Sequence, residues 1–263
     1  MTEGWWCEVE VFLAAVRLQL ARLRRAPGSL QVLVATPLYA IAFLSVVDAA
    51  GRPDLVPYAV LAPGVMALWQ IALTVSGEAV DEERANGSLE LLLVSPAPLL
   101  LVVLGRVATT TALSLFSVLE SWLACWLVLG VLIPVTDPLL FTATLLATAA
   151  AMTGTATALA ALFVRARSAR VFQNALGYPV FLLGGAMVPV ALLPDWLHPV
   201  SRLVFLSWST DLLRHSLGGP EAVPPLLGLA AVLVLGAAGF LTGWLLLGRV
   251  LDRVRTTGAV VLS

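Results

Sequence analysis

Lysine is absent from this chain: all fifteen basic residues are arginine. A P-loop reaches its phosphates with the lysine of GxxxxGK[ST], so a standard one is excluded. Schiff-base chemistry on a lysine amine is excluded with it. GC-rich coding accounts for the missing lysine, and the chemical consequence holds whatever the cause. Charge of either sign is scarce, at 12% of residues, against roughly a quarter in soluble domains. A net charge of −1 points to no partner, and nucleic acid is not among those expected. The two cysteines, Cys7 near the start and Cys125 inside an apolar run, form neither a disulfide framework nor a zinc spacing. The opening MTEGWWCEVE carries acids and no basic leader region, so no secretory leader is expected.

What fills the chain is apolar. Of 263 residues 60% are hydrophobic, and the mean hydropathy is +0.97. Repeated apolar runs of about 20 residues each suffice to cross a hydrocarbon layer of ~30 Å. They are continuous and rich in Leu and Ala, unlike the short alternating strands of a membrane barrel. The expected fold is an all-α polytopic membrane protein with six transmembrane helices, over 30–47, 58–76, 99–133, 139–164, 171–190 and 226–247. Residues 1–28 precede them as an N-terminal interfacial helix, and 29–263 form the transmembrane domain. In the first segment Val9, Phe12, Leu13, Val16, Leu20 and Leu23 follow helical spacing and make one apolar stripe. Arg22 and Arg25 lie opposite it, and Trp5 and Trp6 suit a headgroup region. Pro27-Gly28 ends that helix.

The arginines fix an orientation. Placing the N-terminus inside puts Arg17, Arg22, Arg24, Arg25, Arg84, Arg106, Arg165, Arg167, Arg170, Arg249, Arg253 and Arg255 in cytoplasmic segments and leaves only Arg52, Arg202 and Arg214 outside. The bias follows the positive-inside rule and puts both termini in the cytoplasm. It also puts there an acidic island, GEAVDEERANGSLELLLVSP (77–96), which holds Glu78, Asp81, Glu82, Glu83 and Glu90. Within it Asn86-Gly87 is a turn dipeptide. Ser88 is an N-cap, Glu90 falls in the first turn where the helix dipole favours a carboxylate, and Pro96 and Pro98 stop the helix. Two turns of apolar helix are not stable alone in water. The segment therefore packs against something, either the membrane surface or a partner.

Two stretches carry a resemblance. EERANGSLELLLVSPAPLLLVVLGR, 82–106, is similar to the loop between the second and third spans of ABC-2 type transporter permeases, which reads about E-x-E-x-G-T-L-E-x-L-L-x-(T/S)-P and then L-G-K or L-G-R. Glu83, Gly87, Leu89, Glu90, Leu92, Ser95, Pro96, Gly105 and Arg106 stand at matching positions, with Ser88 where Thr is usual. Downstream, 174–203 followed by STDLLR ending at Arg214 resembles the family's fifth span and external hairpin, through Asn174, Pro179, Pro189 and Pro194. The resemblance implies a permease subunit that works with two ATP-binding cassette ATPase subunits, which hold the ATP and Mg, and with a second permease as a homodimer or heterodimer. No cofactor is implied on this chain. It makes the island a coupling helix seated on the ATPase, with Glu82, Glu83, Arg84, Gly87, Ser88, Leu89, Glu90 and Leu92 at the interface, and it makes the N-terminal segment a connecting helix. It implies short helices re-entering the outer leaflet between 193 and 225, a candidate external gate with Pro189, Pro194, Asp211 and Arg214. The implied location is a bacterial plasma membrane.

Three further features have open readings. Glu120 is the one carboxylate inside a span and marks a functional site by default; it faces the pathway or the other subunit, or it is a neutral acid hydrogen-bonded to Ser117 and Ser121. Asp211, His215 and His198 are near in sequence, but no metal-binding motif joins them. They read as polar residues at a wet interface, with Asp211 paired to Arg214 or His215. The small residues of 147–161 allow close helix approach and read as packing within the subunit. A secondary transporter or channel without an ATPase is the alternative class; it predicts inverted repeats, and none is evident. An intramembrane enzyme would need clustered polar side chains that the spans lack. The substrate reading is a hydrophobic small molecule or drug.

Overall fold

The computed structural model describes residues 3–25, 31–85, 99–130, 133–165 and 169–257. They form ten α-helices and no strand: α1 (Glu3–Arg25), α2 (Gln31–Ala49), α3 (Val56–Ala85), α4 (Leu99–Ser114), α5 (Phe116–Leu129), α6 (Pro138–Arg165), α7 (Ala169–Leu183), α8 (His198–Arg202), α9 (Phe205–Ser216) and α10 (Pro225–Thr257). By length and apolarity, four segments suffice to cross a membrane: Val56–Gly77, Leu101–Val128, Pro138–Phe163 and Pro225–Arg249. Val34–Ala49 and Val171–Leu183 are apolar but shorter.

The centre of the bundle is α3. Between Ala59 and Gly77 almost every side chain is buried, and α2, α4, α5, α6, α7 and α9 all pack on it. Polar side chains of the neighbours donate to its carbonyls: Ser117 Oγ to Gly64 O (3.1 Å) and Gln173 Nε2 to Leu73 O (3.0 Å). In the reverse sense, Ser76 Oγ of α3 donates to Ala156 O of α6 (3.1 Å). In an apolar medium such bonds fix register, since an unmade one is costly.

The tightest pair is α6 with α10. A Cβ built on Gly154 would meet Gly236 O at 2.3 Å, one on Gly236 would meet Ala151 Cα at 2.4 Å, and one on Gly243 would meet Ala158 N at 2.7 Å. The backbones touch because no side chain stands between them. The small-residue run of 147–161 is therefore spent on packing inside the subunit.

Three expected boundaries change. The third span ends at Leu129 rather than 133, where Gly130 takes a φ of +66°; α4 and α5 meet at Leu115, whose backbone is still helical, and together supply one crossing-length segment. Within it Thr109, Thr110, Ser114, Ser117 and Ser121 each donate to a carbonyl three or four residues back, which satisfies their hydroxyls inside the apolar bundle. The fifth span ends at Leu183 rather than 190, because Gly185 takes a φ of +67° and turns the chain back. Third, 77–85 does not open a loop; it continues α3 to Ala85. The island's remainder, with Gly87, Ser88, Leu89, Glu90 and Leu92, lies outside the described residues.

After the turn at Gly185 the chain makes two short helical turns at 190–192 and 195–197, then α8 and α9. Helix α9 packs on α6, α10 and α3, and Phe205, Leu206, Leu212 and Leu213 are buried. Its end is tied to the turn before α6: the N–H groups of Thr136 (2.9 Å) and Asp137 (3.1 Å) both donate to Ser216 O. Asp137 in turn caps α6, its carboxylate accepting the N–H of Leu140 at 3.0 Å, an N-cap arrangement. The connections 50–55, 133–137 and 184–224 thus gather at one end of the bundle, with α9 plugging it. At the exposed edge there, the Arg52 guanidinium, 2.8 Å from Asp54, holds that carboxyl below its usual range; full solvation leaves the pair little effect on stability.

Candidate functional site

Two regions concentrate the polar groups that an apolar bundle must justify, one at each end. At the first, α1 lies against the start of α4. A Cβ on Gly105 would meet Ala15 Cβ at 2.7 Å and Phe12 O at 2.9 Å, so the glycine is what lets the two helices touch. Beside it the Nε of Arg106 donates to Gln19 Oε1 at 3.1 Å, with both residues about nine-tenths or more buried, at 4% and 5% exposure. The Gly-Arg pair thus has a structural meaning: the first residue admits α1 and the second binds it. The buried edge of α1 is Ala15, Gln19 and Leu23, while Leu13 and Leu20 of the expected stripe stay exposed. The contact falls on one flank of the stripe because α4 comes from the side. Gln19 was not anticipated; its one signal was a polar residue at i+4 from Ala15 and i−4 from Leu23.

Glu82, Glu83 and Arg84 occupy the last turns of α3. As α3 has 30 residues, it is about 45 Å long at 1.5 Å per residue, and its two ends reach the two ends of the bundle.

At the opposite end, Arg214 of α9 is 4% exposed. Its guanidinium lies over the ring of Tyr58, at the start of α3, with 3.9 Å to the centroid. Nη2 donates to the carbonyl of Gly185, and Nη1 is 3.9 Å from Asp211. Asp211 is held more closely by Arg202, at 2.8 Å. Arg202 lies in turn over Trp208, 4.8 Å from the ring centroid, and Trp208 Nε1 donates to the Arg202 carbonyl at 2.9 Å. Two guanidiniums therefore share one carboxylate. The structure brings together Asp211 and Arg214 of the expected gate residues and adds Tyr58, Gly185 and Arg202, which no spacing rule joins. Pro189 and Pro194 instead open the turns at 190–192 and 195–197. His215 does not pair with Asp211; its Nδ1 lies 3.2 Å from Gly219 O. Among the described residues no group of three His, Cys, Asp or Glu is placed to hold a metal.

Glu120 sits on the flank of α5, beside the exposed Phe116 and Leu119. The expected serine partners are engaged elsewhere: Ser121 donates to Ser117 O (2.9 Å), and Ser117 to Gly64 O and Ser114 O. Glu120 Oε2 is buried and meets no hydrogen-bond partner. Glu120→Leu is therefore expected to leave thermal unfolding of the detergent-solubilised chain unchanged or to raise its stability, by up to about 3 kcal/mol, the cost of an unsatisfied buried polar group. A clear fall in melting temperature would show that the carboxylate has a stabilising partner within the subunit.

The ABC-2 type transporter family model matches residues 10–217, from within α1 to the residue after α9. No curated protein matches the chain. The matched region contains both polar ends and all the helices between them. It spans most of the chain, so this multi-pass membrane protein belongs to the ABC-2 type transporter family.

Proposed function

We propose that this chain is the permease subunit of an exporter that carries a hydrophobic small molecule out across a bacterial plasma membrane, driven by ATP hydrolysis on a separate ATPase. The chain crosses six times with both termini in the cytoplasm, the two shorter apolar helices being the first and fifth crossings. Two ATPase copies serve two permeases, and the coupling contact is the stretch from Glu82 to Leu92.

The observation that carries this reading is the continuity of α3, unbroken from Val56 to Ala85. One end of the rod holds Glu82, Glu83 and Arg84, and the other holds Tyr58 against Arg214. A push at the acidic end reaches the gate along this one helix, in which Pro63 removes a ladder bond near the Tyr58 end; the remaining hydrogen-bonded turns transmit axial displacement where a loop would absorb it. The absence of lysine, which excludes a standard P-loop here, supports nucleotide chemistry on another polypeptide. The exposed Asn174 and Tyr178, one helical turn apart on α7, support a second permease, because polar groups in a span are satisfied by partner helices.

Co-expression with the cognate P-loop ATPase tests the reading. The pair is expected to co-purify, and Glu90→Arg or deletion of 82–90 is expected to abolish the complex or its transport-coupled ATP hydrolysis. Retention of both in the deletion would refute the coupling contact, and transport by the chain with no ATPase would make it a secondary transporter or channel.

A further inference from the structure

Arg214 is over-provided with charge for its surroundings. It is buried, and a guanidinium carries five N–H donors and no acceptor. Gly185 O takes a hydrogen from Nη2, while Nε and Nη1 are buried and meet no hydrogen-bond acceptor. Asp211 cannot neutralise it alone, since its carboxylate is 2.8 Å from Arg202 and 3.9 Å from Arg214. The Tyr58 ring offsets part of the charge but accepts nothing from the donors in the guanidinium plane. A buried cation with unsatisfied donors is among the more costly arrangements a fold retains. Around it the seam between α3 and the hairpin is apolar and closed, with Leu61, Val65, Ala186 and Leu213 all buried and Thr210 as a further polar residue. The Thr210 hydroxyl is committed to Gly184 O at 2.8 Å.

We propose that Arg214 is an anion-recognition site at the hairpin end of the bundle, which takes the carboxylate or phosphate of an amphiphile whose apolar body lies along the Leu61 and Val65 face of α3. A neutral acceptor would satisfy the donors and leave the charge; an anion satisfies both, through charge-assisted hydrogen bonds. The apolar lining selects against a small hydrophilic anion. The seam is closed here, so entry of the ligand requires α3 and the hairpin to part at Tyr58 and Arg214; α9, seated chiefly on α6 and α10, keeps its place when they do. The site deepens the permease reading by giving the transported molecule a negative head group, and it rests on that reading for passage but not for binding.

The test is equilibrium binding to the full chain in phosphatidylcholine nanodiscs, with dodecyl phosphate and the uncharged dodecanol as probes. The wild type is expected to bind the phosphate at least about tenfold more tightly. Arg214→Gln is expected to erase the preference and Arg214→Lys to restore part of it. Asp211→Asn removes the nearest competing carboxylate and is expected to strengthen phosphate binding. Equal binding of both probes by the wild type, a preference that survives Arg214→Gln, or weaker phosphate binding in Asp211→Asn would each overturn the proposal. If Arg214→Gln does not fold, the wild-type preference and the Asp211→Asn shift decide. Adding phosphatidylglycerol separates the sources: displacement of the probe identifies a lipid head group as the occupant, retention identifies a soluble amphiphile, and both uphold the anion site. Binding in nanodiscs needs no ATPase, so failure to recruit one would sink the transport reading and leave this site standing.

Discussion

Gly236→Leu is expected to abolish recovery of folded protein. The Cβ alone would stand 2.4 Å from Ala151 Cα and 2.6 Å from Ala151 Cβ, and the first of these is backbone that no rotamer change can move. The opposing glycine, Gly154, already has Gly236 O against it, so α10 cannot slide to make room without opening the whole seam. Overpacking in a closed core costs about 3 kcal/mol or more when the clash is with backbone, a large share of a typical net stability of about 5–15 kcal/mol. Size-exclusion profile and thermal unfolding in detergent measure the effect. Gly248→Leu on the same helix is the control, because a Cβ there meets nothing within 4 Å. It is expected to behave as wild type. Normal folding of Gly236→Leu would show that α6 and α10 do not meet at this seam.

The second large effect is expected at Gly105. Leucine there would drive a Cβ to 2.7 Å from Ala15 and 2.9 Å from Phe12 O, forcing α1 off α4 and breaking the Arg106–Gln19 hydrogen bond beside it. The rest of the bundle does not depend on α1, whose main contact is with α4, so the protein is expected to fold and remain in the membrane. What fails is the link between the N-terminal helix and the helix that follows the acidic island. In the co-purified complex the expected result is loss of substrate-stimulated ATP hydrolysis with basal hydrolysis retained, together with protease sensitivity around Arg22 to Arg25. An unchanged stimulation with α1 demonstrably released would show that α1 plays no part in coupling. Gln19→Leu separates the hydrogen bond from the packing: it leaves Gly105 intact and removes one acceptor from the buried guanidinium, with an expected cost of about 1 kcal/mol.

Much of this architecture was legible in the residues. Apolar runs placed the helices, since backbone in a membrane must satisfy its own hydrogen bonds and helix is the local solution. The arginine asymmetry paired Arg52, Arg202 and Arg214, and the structure gathers the connections that carry them at one end of the bundle. The end of the third span was concealed by unbroken hydropathy, since Gly130 is flanked by apolar residues and only its positive φ shows why the helix stops there. The true end of the fifth helix was concealed in the same way: Gly184-Gly185 is as apolar as its flanks, and only the positive φ of Gly185 shows why the chain reverses there. The charge of Glu82 to Arg84 suggests loop, yet helix propensity is high for both Glu and Arg, and α3 extends through them.

By itself the sequence determined that the chain is helical, membrane-spanning, without a P-loop and of ABC-2 type, because hydrophobicity, the absence of a residue type and short motifs are local properties. Only the tertiary structure decided which polar residues meet. Arg106 finds Gln19 87 positions away, Ser117 finds Gly64, and Arg214 finds Tyr58 and Gly185. Partner choice for a buried polar group depends on which helices neighbour one another and at what rotation. Those are set by small-residue contacts such as Gly154 on Gly236 and Gly105 on Ala15, whose effect comes from close approach across the bundle rather than from any signal in their own segment.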